Sequence, residues 1–326
     1  MNALISLVVV AVLFLVGWVG AGTALFGMII PYAALVVFLV GLVYRVAKWA
    51  QSPVPFRIPT TCGQQKSLPW IESSGIENPH TGTGVLMRMV LEVLCFRSLF
   101  RNTQTELRDG PRISYGSSKW LWLGAIVFHY SFLVILIRHV RLFTEPVPSV
   151  IYLLHGLDGF FQIGVPVFYL TSFALLAALG YLLLRRLISP QLRYISLVND
   201  YFPLFLILGI GLSGFWMRYV AKTDVSGVKD LAMGLVNFSP VFPETVEPLF
   251  YGHFFLVCVL FAYFPFSKLM HMAGVFLSPT RNLANNNRMV RHINPWNAPV
   301  HIHAYEEYED EFREKMKAAG IPLDKE

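Results

Sequence analysis

Four histidines lie in stretches of the sequence that are otherwise apolar, and their spacing is the first clue to chemistry. His129 and His139 are ten residues apart in FHYSFLVILIRHV, and His253 and His271 are eighteen residues apart in GHFFLVCVLFAYFPFSKLMH. In an α-helix, eighteen residues complete five turns, and ten residues end within one broad face of the helix. At the helical rise of about 1.5 Å per residue, His129 and His139 are about 15 Å apart along the axis, and His253 and His271 about 27 Å apart. Each stretch therefore presents two imidazoles on one face at two depths.

Antiparallel packing of these two helices would bring His129 beside His271 at one depth and His139 beside His253 at the other. Ionisable residues inside membrane spans are rare and usually functional. Because two facing imidazoles can ligate one haem iron, the pattern predicts two bis-histidine haem b groups forming an electron path. The sequence has no C-x-x-C-H, so the haems would be non-covalent. The alternatives are histidines hydrogen-bonded inside the bundle, and a proton path.

The composition predicts that these histidines lie in an all-α membrane protein. Hydrophobic residues make up 55% of the 326 residues and charged residues 14%, against about 25% charged in soluble domains. The long uncharged runs do not alternate, which excludes a β-barrel and favours a helical bundle. The first run is expected to be retained as a span, since it lacks a basic segment before it. Six transmembrane helices are predicted near 3–20, 25–46, 120–141, 160–184, 201–219 and 248–271.

The distribution of basic residues predicts the orientation of the spans. Segment 45–119 has ten Lys and Arg against five acids, whereas 138–158 has two against two and 218–247 has three against four. Cytoplasmic loops carry the excess of basic residues, so both termini are predicted to be cytoplasmic. His129 and His271 then belong to the cytoplasmic-side haem, and His139 and His253 to the outer-side haem.

Four domains follow from these patterns. They are two N-terminal spans (1–46), a cytoplasmic loop with an amphipathic helix (47–119), a di-haem four-helix domain (120–271) and a cytoplasmic arm (272–326).

The two soluble segments have different patterns. The loop opens with the irregular QSPVPFRIPTTCG, and its GVLMRMVLEVLCFRSLFRN alternates charged and apolar residues at helical spacing. That helix is predicted to lie on the membrane surface or a partner, or to pack within the loop. The tail contains YEEYEDEFREKMKAAG, predicted to be a charged helix ended by Gly320. The tail either docks on a cytoplasmic subunit or is disordered. His301 and His303 form an H-x-H with no carboxylate beside it, which is a weak metal pattern.

Three stretches resemble the nitrate reductase gamma subunit family, whose members are di-haem b cytochromes that oxidise quinol. They are FHYSFLVILIRHVRLF, LLLRRLISPQLR and GHFFLVCVLFAYFPFSKLMH. The resemblance covers about 118–277. It implies the same four ligands in the same pairs, His129 with His271 and His139 with His253.

The extra N-terminal span, the large loop and the tail resemble the DsrM family, the membrane cytochromes of sulfite-reduction-associated Dsr complexes. This resemblance implies an inner-membrane subunit of a quinol-linked oxidoreductase that exchanges electrons between menaquinol and a DsrK-like cytoplasmic iron–sulfur subunit related to heterodisulfide reductase. It also implies sulfate or sulfite respiration with DsrC trisulfide as acceptor, and further membrane and periplasmic redox subunits. The rival interpretations are a cytochrome of another quinol-linked complex, such as nitrate reductase or heterodisulfide reductase, and a haem-free transporter or anchor.

The quinol site is the point at which this sequence departs from the nitrate reductase pattern. The family has a lysine soon after its third span, where this chain reads LLHGLDGF. A quinol site needs a hydrogen-bond acceptor beside the outer haem, and His155, Asp158 and Arg138 are the candidates. Their structural alternatives are a turn after His155, an N-cap of the fourth span at Asp158, and Arg138 snorkelling to the interface or pairing a haem propionate.

Overall fold

The fold is all-α with six helices long and apolar enough to cross a membrane, as the composition predicts. A computed structural model describes residues 1–52, 63–110, 112–162, 167–290, 299 and 301–325. The six candidate spans are Asn2–Val19, Leu25–Ala50, Lys119–Leu142, Leu170–Ile188, Val198–Ala221 and Pro248–Phe266.

The helices, in chain order through the first half, are α1 (Asn2–Val19), α2 (Ile30–Ala50), α3 (Gly82–Cys95), α4 (Arg97–Phe100), α5 (Lys119–His139), α6 (Ser149–Asp158) and α7 (Leu170–Ile188). The second half contains α8 (Pro190–Ile195), α9 (Val198–Trp216), α10 (Val225–Val236), α11 (Pro248–Tyr263), α12 (His271–Gly274) and α13 (Tyr305–Ala318). Two antiparallel hairpins pair β1 (Thr103–Arg108) with β2 (Arg112–Ser117), and β3 (Gly159–Phe161) with β4 (Phe168–Tyr169).

The two ends of the bundle are distinguished by polar contacts between helix termini. Asn2 Nδ2 donates to Ser196 O (3.0 Å), and Lys268 Nζ contacts Asp200 Oδ1 (2.6 Å). The starts of α1 and α9 and the residues after α11 therefore lie together. We call this the inner end of the bundle and the opposite one the outer end.

The fourth span begins ten residues later than predicted. Residues 149–158 form a separate helix, α6, and residues 159–161 and 168–169 pair as a hairpin before α7 starts at Leu170. An uncharged run alone does not distinguish a buried strand from a helix. The prediction of a helix from 160 is therefore wrong, as is the prediction of a turn directly after His155, which lies within α6.

The sixth span breaks before it reaches its last histidine. Helix α11 ends at Tyr263, and a 3₁₀ turn (Phe264–Phe266) follows. Pro265 lacks an N–H and cannot continue the α-helical hydrogen bonding, while Ser267 Oγ accepts from Leu269 N (3.1 Å) and starts a new turn. His271 is thus the first residue of α12 rather than part of the last turn of one continuous helix.

Helix α11 lies at the centre of the spanning helices, with α1, α2 and α9 packed around it. The closest approach is at Gly17 of α1, where an added Cβ would lie 2.6 Å from Phe255 Cβ and 2.8 Å from Tyr251 O. Glycine therefore sets the distance between the first span and the helix that carries His253. On the other flank, α5 packs on α7 and α7 packs on α9.

A buried arginine joins the loop between α2 and α5 to the segment after α12. Arg88 of α3 is 7% exposed. Its guanidinium donates to the carbonyl oxygens of Glu77 (2.8 Å), Arg281 (3.3 Å) and Thr280. Three backbone carbonyls satisfy a charge that would otherwise be costly to bury, so the amphipathic helix packs against the start of the C-terminal arm.

The predicted charged helix of the tail is confirmed. It is α13, and Gly320 beyond its end has a φ of +66°, the left-handed conformation typical of a residue that closes a helix. Its buried Glu309 accepts from Asp324 N (2.7 Å) and Lys325 N (3.1 Å), which folds the C-terminal residues back on the helix. Most of QSPVPFRIPTTCG, 53–62, lies outside the described residues.

The contact at Gly17 can be tested by adding one methyl group. Gly17→Ala should lower the free energy of unfolding by about 1–3 kcal/mol, because the tight contact has no room for a Cβ. The measurement is the midpoint of thermal unfolding of the detergent-solubilised protein by circular dichroism. Gly82→Ala is the matched control, since a Cβ at the exposed Gly82 meets nothing within 4 Å. Equal midpoints for the two variants would contradict the packing of α1 on α11.

Candidate functional site

The two histidines predicted to pair at the inner end lie face to edge. The ring centroids of His129, on α5, and His271, at the start of α12, are 6.0 Å apart, and the ring planes are at 86°. Metal–imidazole bonds of about 2 Å on either side of one metal would place two ring centres about 6 Å apart. The separation of these two rings therefore suits a shared metal between them.

The two histidines predicted to pair at the outer end, His139 and His253, are not in direct ring contact among the described residues. The two are electrostatic neighbours. Gly214 of α9 abuts His253, and a Cβ there would lie 3.3 Å from His253 Cε1. Helices α5 and α11 pack closely on α7 and α9 respectively, but little on each other in the described part of the chain. The imidazoles thus lie between two helices whose backbones are well separated.

All four imidazoles share one feature, a hydrogen-bond partner at Nδ1. The partners are Ala125 O for His129 (2.7 Å), Ile135 O for His139 (2.7 Å), Lys268 O for His271 (2.9 Å) and Ser213 Oγ for His253 (2.9 Å). A carbonyl can only accept. Ser213 already donates its hydroxyl proton to Gly209 O (2.7 Å), so it too accepts. Each Nδ1 then carries the proton, which leaves the Nε2 lone pair for a metal.

This pattern satisfies only half of each imidazole. His129 and His253 are half-buried and His139 and His271 are exposed, and no hydrogen bond joins the Nε2 of any of the four to a described residue. The donor set is the one in which a backbone carbonyl or hydroxyl orients a metal-ligating histidine from behind. Among the described residues, the chemistry of the four side chains fits a haem iron.

The end of α3 packs against His129 of the inner pair, a contact that sequence reasoning missed. The ring of Phe96 lies edge-on to His129, with centroids 4.9 Å apart. Tyr130 and Trp122 of α5 donate to the carbonyls of Leu94 (2.9 Å) and Cys95 (2.7 Å). Phe96 has a φ of 51°, which is uncommon for a bulky residue. The left-handed residue ends α3 and turns the chain against α5.

At the outer end, Arg138 and Asp158 form a buried ion pair. Their exposures are 8% and 6%. Asp158 Oδ1 accepts from Thr171 N (2.9 Å), and Oδ2 from Thr171 Oγ1 (2.6 Å). Asp158 is therefore the last residue of α6 rather than the N-cap of the fourth span, yet it caps the first turn of α7 from outside that helix. Both charges have partners within the protein.

His155, the third candidate for the quinol site, is satisfied at one nitrogen only. Its Nδ1 lies 3.1 Å from Tyr169 Oη, while its Nε2 is buried and has no hydrogen-bond partner among the described residues. Burial lowers the pKa of His155 to about 4, assisted by the positive charges of Arg141, Arg138 and Arg218. The imidazole is therefore neutral around pH 7, with a ring nitrogen available to a ligand.

Sequence reasoning missed the ring around which this outer cluster forms. Tyr169 is 4% exposed, and the guanidinium carbons of Arg138 and Arg218 lie 3.7 Å and 4.2 Å from its ring centroid. Arg141 and Arg218 lie at the ends of apolar runs, which could have indicated a polar cluster at the end of the spans. In the sequence, they contributed only to the predicted orientation of the spans.

A carboxylate does lie beside the H-x-H of the tail, contrary to the prediction. Glu307, on the first turn of α13, has a ligand atom within 4.8 Å of those of His301 and His303. All three side chains are exposed. His303 lies just before α13, with its Nδ1 3.6 Å from Glu307 Oε2.

The chain is similar to known membrane proteins over most of its length. The family described as "Nitrate reductase gamma subunit" matches residues 90–292. A relative from Archaeoglobus fulgidus, named "Hdr-like menaquinol oxidoreductase cytochrome b-like subunit", is 47% identical over 279 residues, 83% of each chain. A protein of the same name from Archaeoglobus profundus is 43% identical over 274 residues, 82% of this chain and 81% of its own. With a family match over more than half its length and two such relatives, the chain belongs to the nitrate reductase gamma subunit family, as a multi-pass membrane cytochrome b that takes part in quinol-linked electron transfer.

Proposed function

We propose that this protein is a di-haem b cytochrome that transfers electrons between menaquinol and a cytoplasmic iron–sulfur subunit. The observation that carries the proposal is the common state of the four imidazoles, each with Nδ1 hydrogen-bonded and with no hydrogen bond from Nε2 to any described residue. His129 and His271 hold the inner haem, and His139 and His253 hold the outer one. When bound, the two haems supply one-electron iron chemistry in an apolar environment.

The protein contributes ligand orientation at both sites. The carbonyl of Ala125 and that of Ile135 lie one helical turn before His129 and His139, so α5 itself orients its two imidazoles. Ser213 does the same for His253 from the neighbouring α9. Such partners behind a metal-ligating histidine fix its tautomer and increase its basicity.

Quinol is oxidised at the outer end, with His155 as the residue that contacts it. Menaquinol must lose two protons as it gives up two electrons, so a neutral acceptor at its hydroxyl is required. His155 can donate from Nδ1 to Tyr169 Oη and accept at Nε2. Arg138 and Asp158 bind each other and Thr171, so their role in the quinol site is to position α6 against α7.

The orientation follows from charge. The basic loop 45–119 and the ends of the chain lie in the cytoplasm, and the outer cluster faces the other side of the cytoplasmic membrane. The names of the relatives support an Hdr-like complex, in which the C-terminal arm (272–326) docks on a DsrK-like heterodisulfide reductase-related subunit. In sulfate or sulfite respiration, DsrC trisulfide is then the electron acceptor. Further membrane and periplasmic redox subunits complete the assembly.

The haem pairing is tested by removing one ligand at a time. His139→Ala and His253→Ala should each abolish the same component of an optical redox titration, because they share one haem. His129→Ala and His271→Ala should abolish the other. Each variant should retain about half of the haem, since one of two sites loses a ligand. The control is His80→Gln, which changes a histidine outside the spans. Loss of the same component from His129→Ala and His139→Ala would contradict the pairing.

The quinol role of His155 is tested by His155→Gln. Both haem spectra should be unchanged, while the rate of haem reduction by a menaquinol analogue falls by about 10²–10⁴-fold, the usual contribution of a general base. In the unsubstituted protein, acidification towards pH 4 should also slow reduction, because protonation of His155 removes the acceptor. His303→Gln, an exposed histidine in the tail, is the matched control. An undiminished reduction rate in His155→Gln would exclude the residue from the site.

A further inference from the structure

The outer cluster contains more positive charge than its own acidic residues balance. Three guanidiniums, those of Arg138, Arg141 and Arg218, act on His155 together with one carboxylate, Asp158. Taken as formal charges, the cluster has three positive and one negative, an excess of two. The neighbouring residues 163–166 lie outside the described part of the chain, but their sequence, Ile-Gly-Val-Pro, contains no charge.

Asp158 accepts three hydrogen bonds, and neither Arg141 nor Arg218 donates any of them. Its two oxygens already accept from Arg138 and from the amide and hydroxyl of Thr171. Other carboxylates nearby in sequence are also engaged. Glu145 pairs with Lys229, and Asp224 caps α10 through Ser226 N (2.9 Å).

Arg218 and Arg141 are correspondingly short of partners. Arg218 donates from Nη2 to Val167 O (3.1 Å), but its Nε is buried and has no partner in the part of the chain that the structure describes. Arg141, which is half-buried, makes no hydrogen bond or ion pair with any described residue. A buried guanidinium donor without an acceptor, such as Arg218 Nε, is costly. The positive charges of Arg218 and Arg141 also repel each other, more strongly away from water.

The position of these arginines points to the anion that satisfies them. Arg141 is two residues from His139. Arg218 is four residues beyond Gly214, which abuts His253, and residues four apart lie on one face of a helix. Both cations thus lie at the outer end of the bundle, and the charge of Arg141 acts on both His139 and Arg218.

We propose that Arg141 and Arg218 bind the two propionate carboxylates of the outer haem. The inference rests on the proposed function, since it requires a haem between His139 and His253. Two propionates carry the two negative charges that the cluster lacks, and guanidinium groups match carboxylates in geometry. Arg138, already paired with Asp158, stacks on Tyr169 and supports the arrangement without taking a propionate itself.

The test is an optical redox titration of the purified holoprotein carrying Arg218→Gln or Arg141→Gln. A cation beside a propionate favours the reduced haem, which has one more negative charge. Its removal should lower the equilibrium constant for reduction of the outer haem about tenfold, which is about 59 mV for a one-electron couple. The inner haem should keep its potential. Lys222→Gln, which removes an exposed cation four residues further along the chain, is the control and should leave both haems unchanged.

Conservative variants keep the test decisive if a glutamine variant does not fold. Arg218→Lys and Arg141→Lys retain the charge and should restore the potential of the outer haem to within a few-fold of the original equilibrium constant. A glutamine variant that loses the outer haem, while its lysine counterpart keeps it, also supports the proposal.

Three outcomes would overturn the inference. One is an outer haem whose potential is unchanged in both glutamine variants, and another is a shift equal to that of Lys222→Gln. The third is a shift seen with anionic phospholipid and absent in lipid-free detergent, which would assign the arginines to lipid phosphates. In each case two titrating haems would leave the proposed function intact, whereas a protein with no second haem would refute that function itself.

Discussion

The proposed sites depend on how four imidazoles are held, because each makes a hydrogen bond at Nδ1 and none at Nε2 to any residue that the structure describes. The Nδ1 atoms of His129, His139 and His271 donate to backbone carbonyls of the same helix or turn. The Nδ1 of His253 donates to the hydroxyl of Ser213 on the neighbouring helix α9. The other nitrogen points away from that partner across the ring. Helices α5 and α11 pack little on each other among the described residues. Helix α5 packs on α7, α7 packs on α9, and α9 packs on α11. The proposed haem sites, the electron path and the placement of the quinol site all depend on this one arrangement.

The break after α11 is the element that makes the inner pair possible. Pro265 ends α11, and Ser267 starts the turn that leads into α12. The ring centroid of His271, the first residue of α12, lies 6.0 Å from that of His129. The loop that contains α3 then covers the same pair through Phe96, and Arg88 fixes that loop to the segment following α12. The inner site is thus built from three parts of the chain that are distant in sequence. The inner pair therefore lies beside the end of α3.

The sequence allowed the spans, the proximity of His129 and His271 and the tail helix to be predicted, because these features follow from local composition or from helical periodicity. The pairing of His139 with His253 remains a prediction. The same reasoning failed at residues 159–169, where a long apolar run has no period and a hairpin replaces a helix. It also missed Tyr169, Thr171 and Arg218, whose importance arises from contacts between segments 13 to 51 residues apart. Asp158 caps the fourth span, as its residue type suggests. It does so through Thr171, thirteen residues later in the chain, and no local sequence pattern indicates that contact.

The central claim is that one chain holds two haems b. A pyridine haemochrome assay on the purified protein, with chain concentration from amino-acid analysis, measures the number of b haems per chain. The account predicts two. A reproducible value of one or fewer, in protein whose circular dichroism shows the helical fold intact, would contradict it.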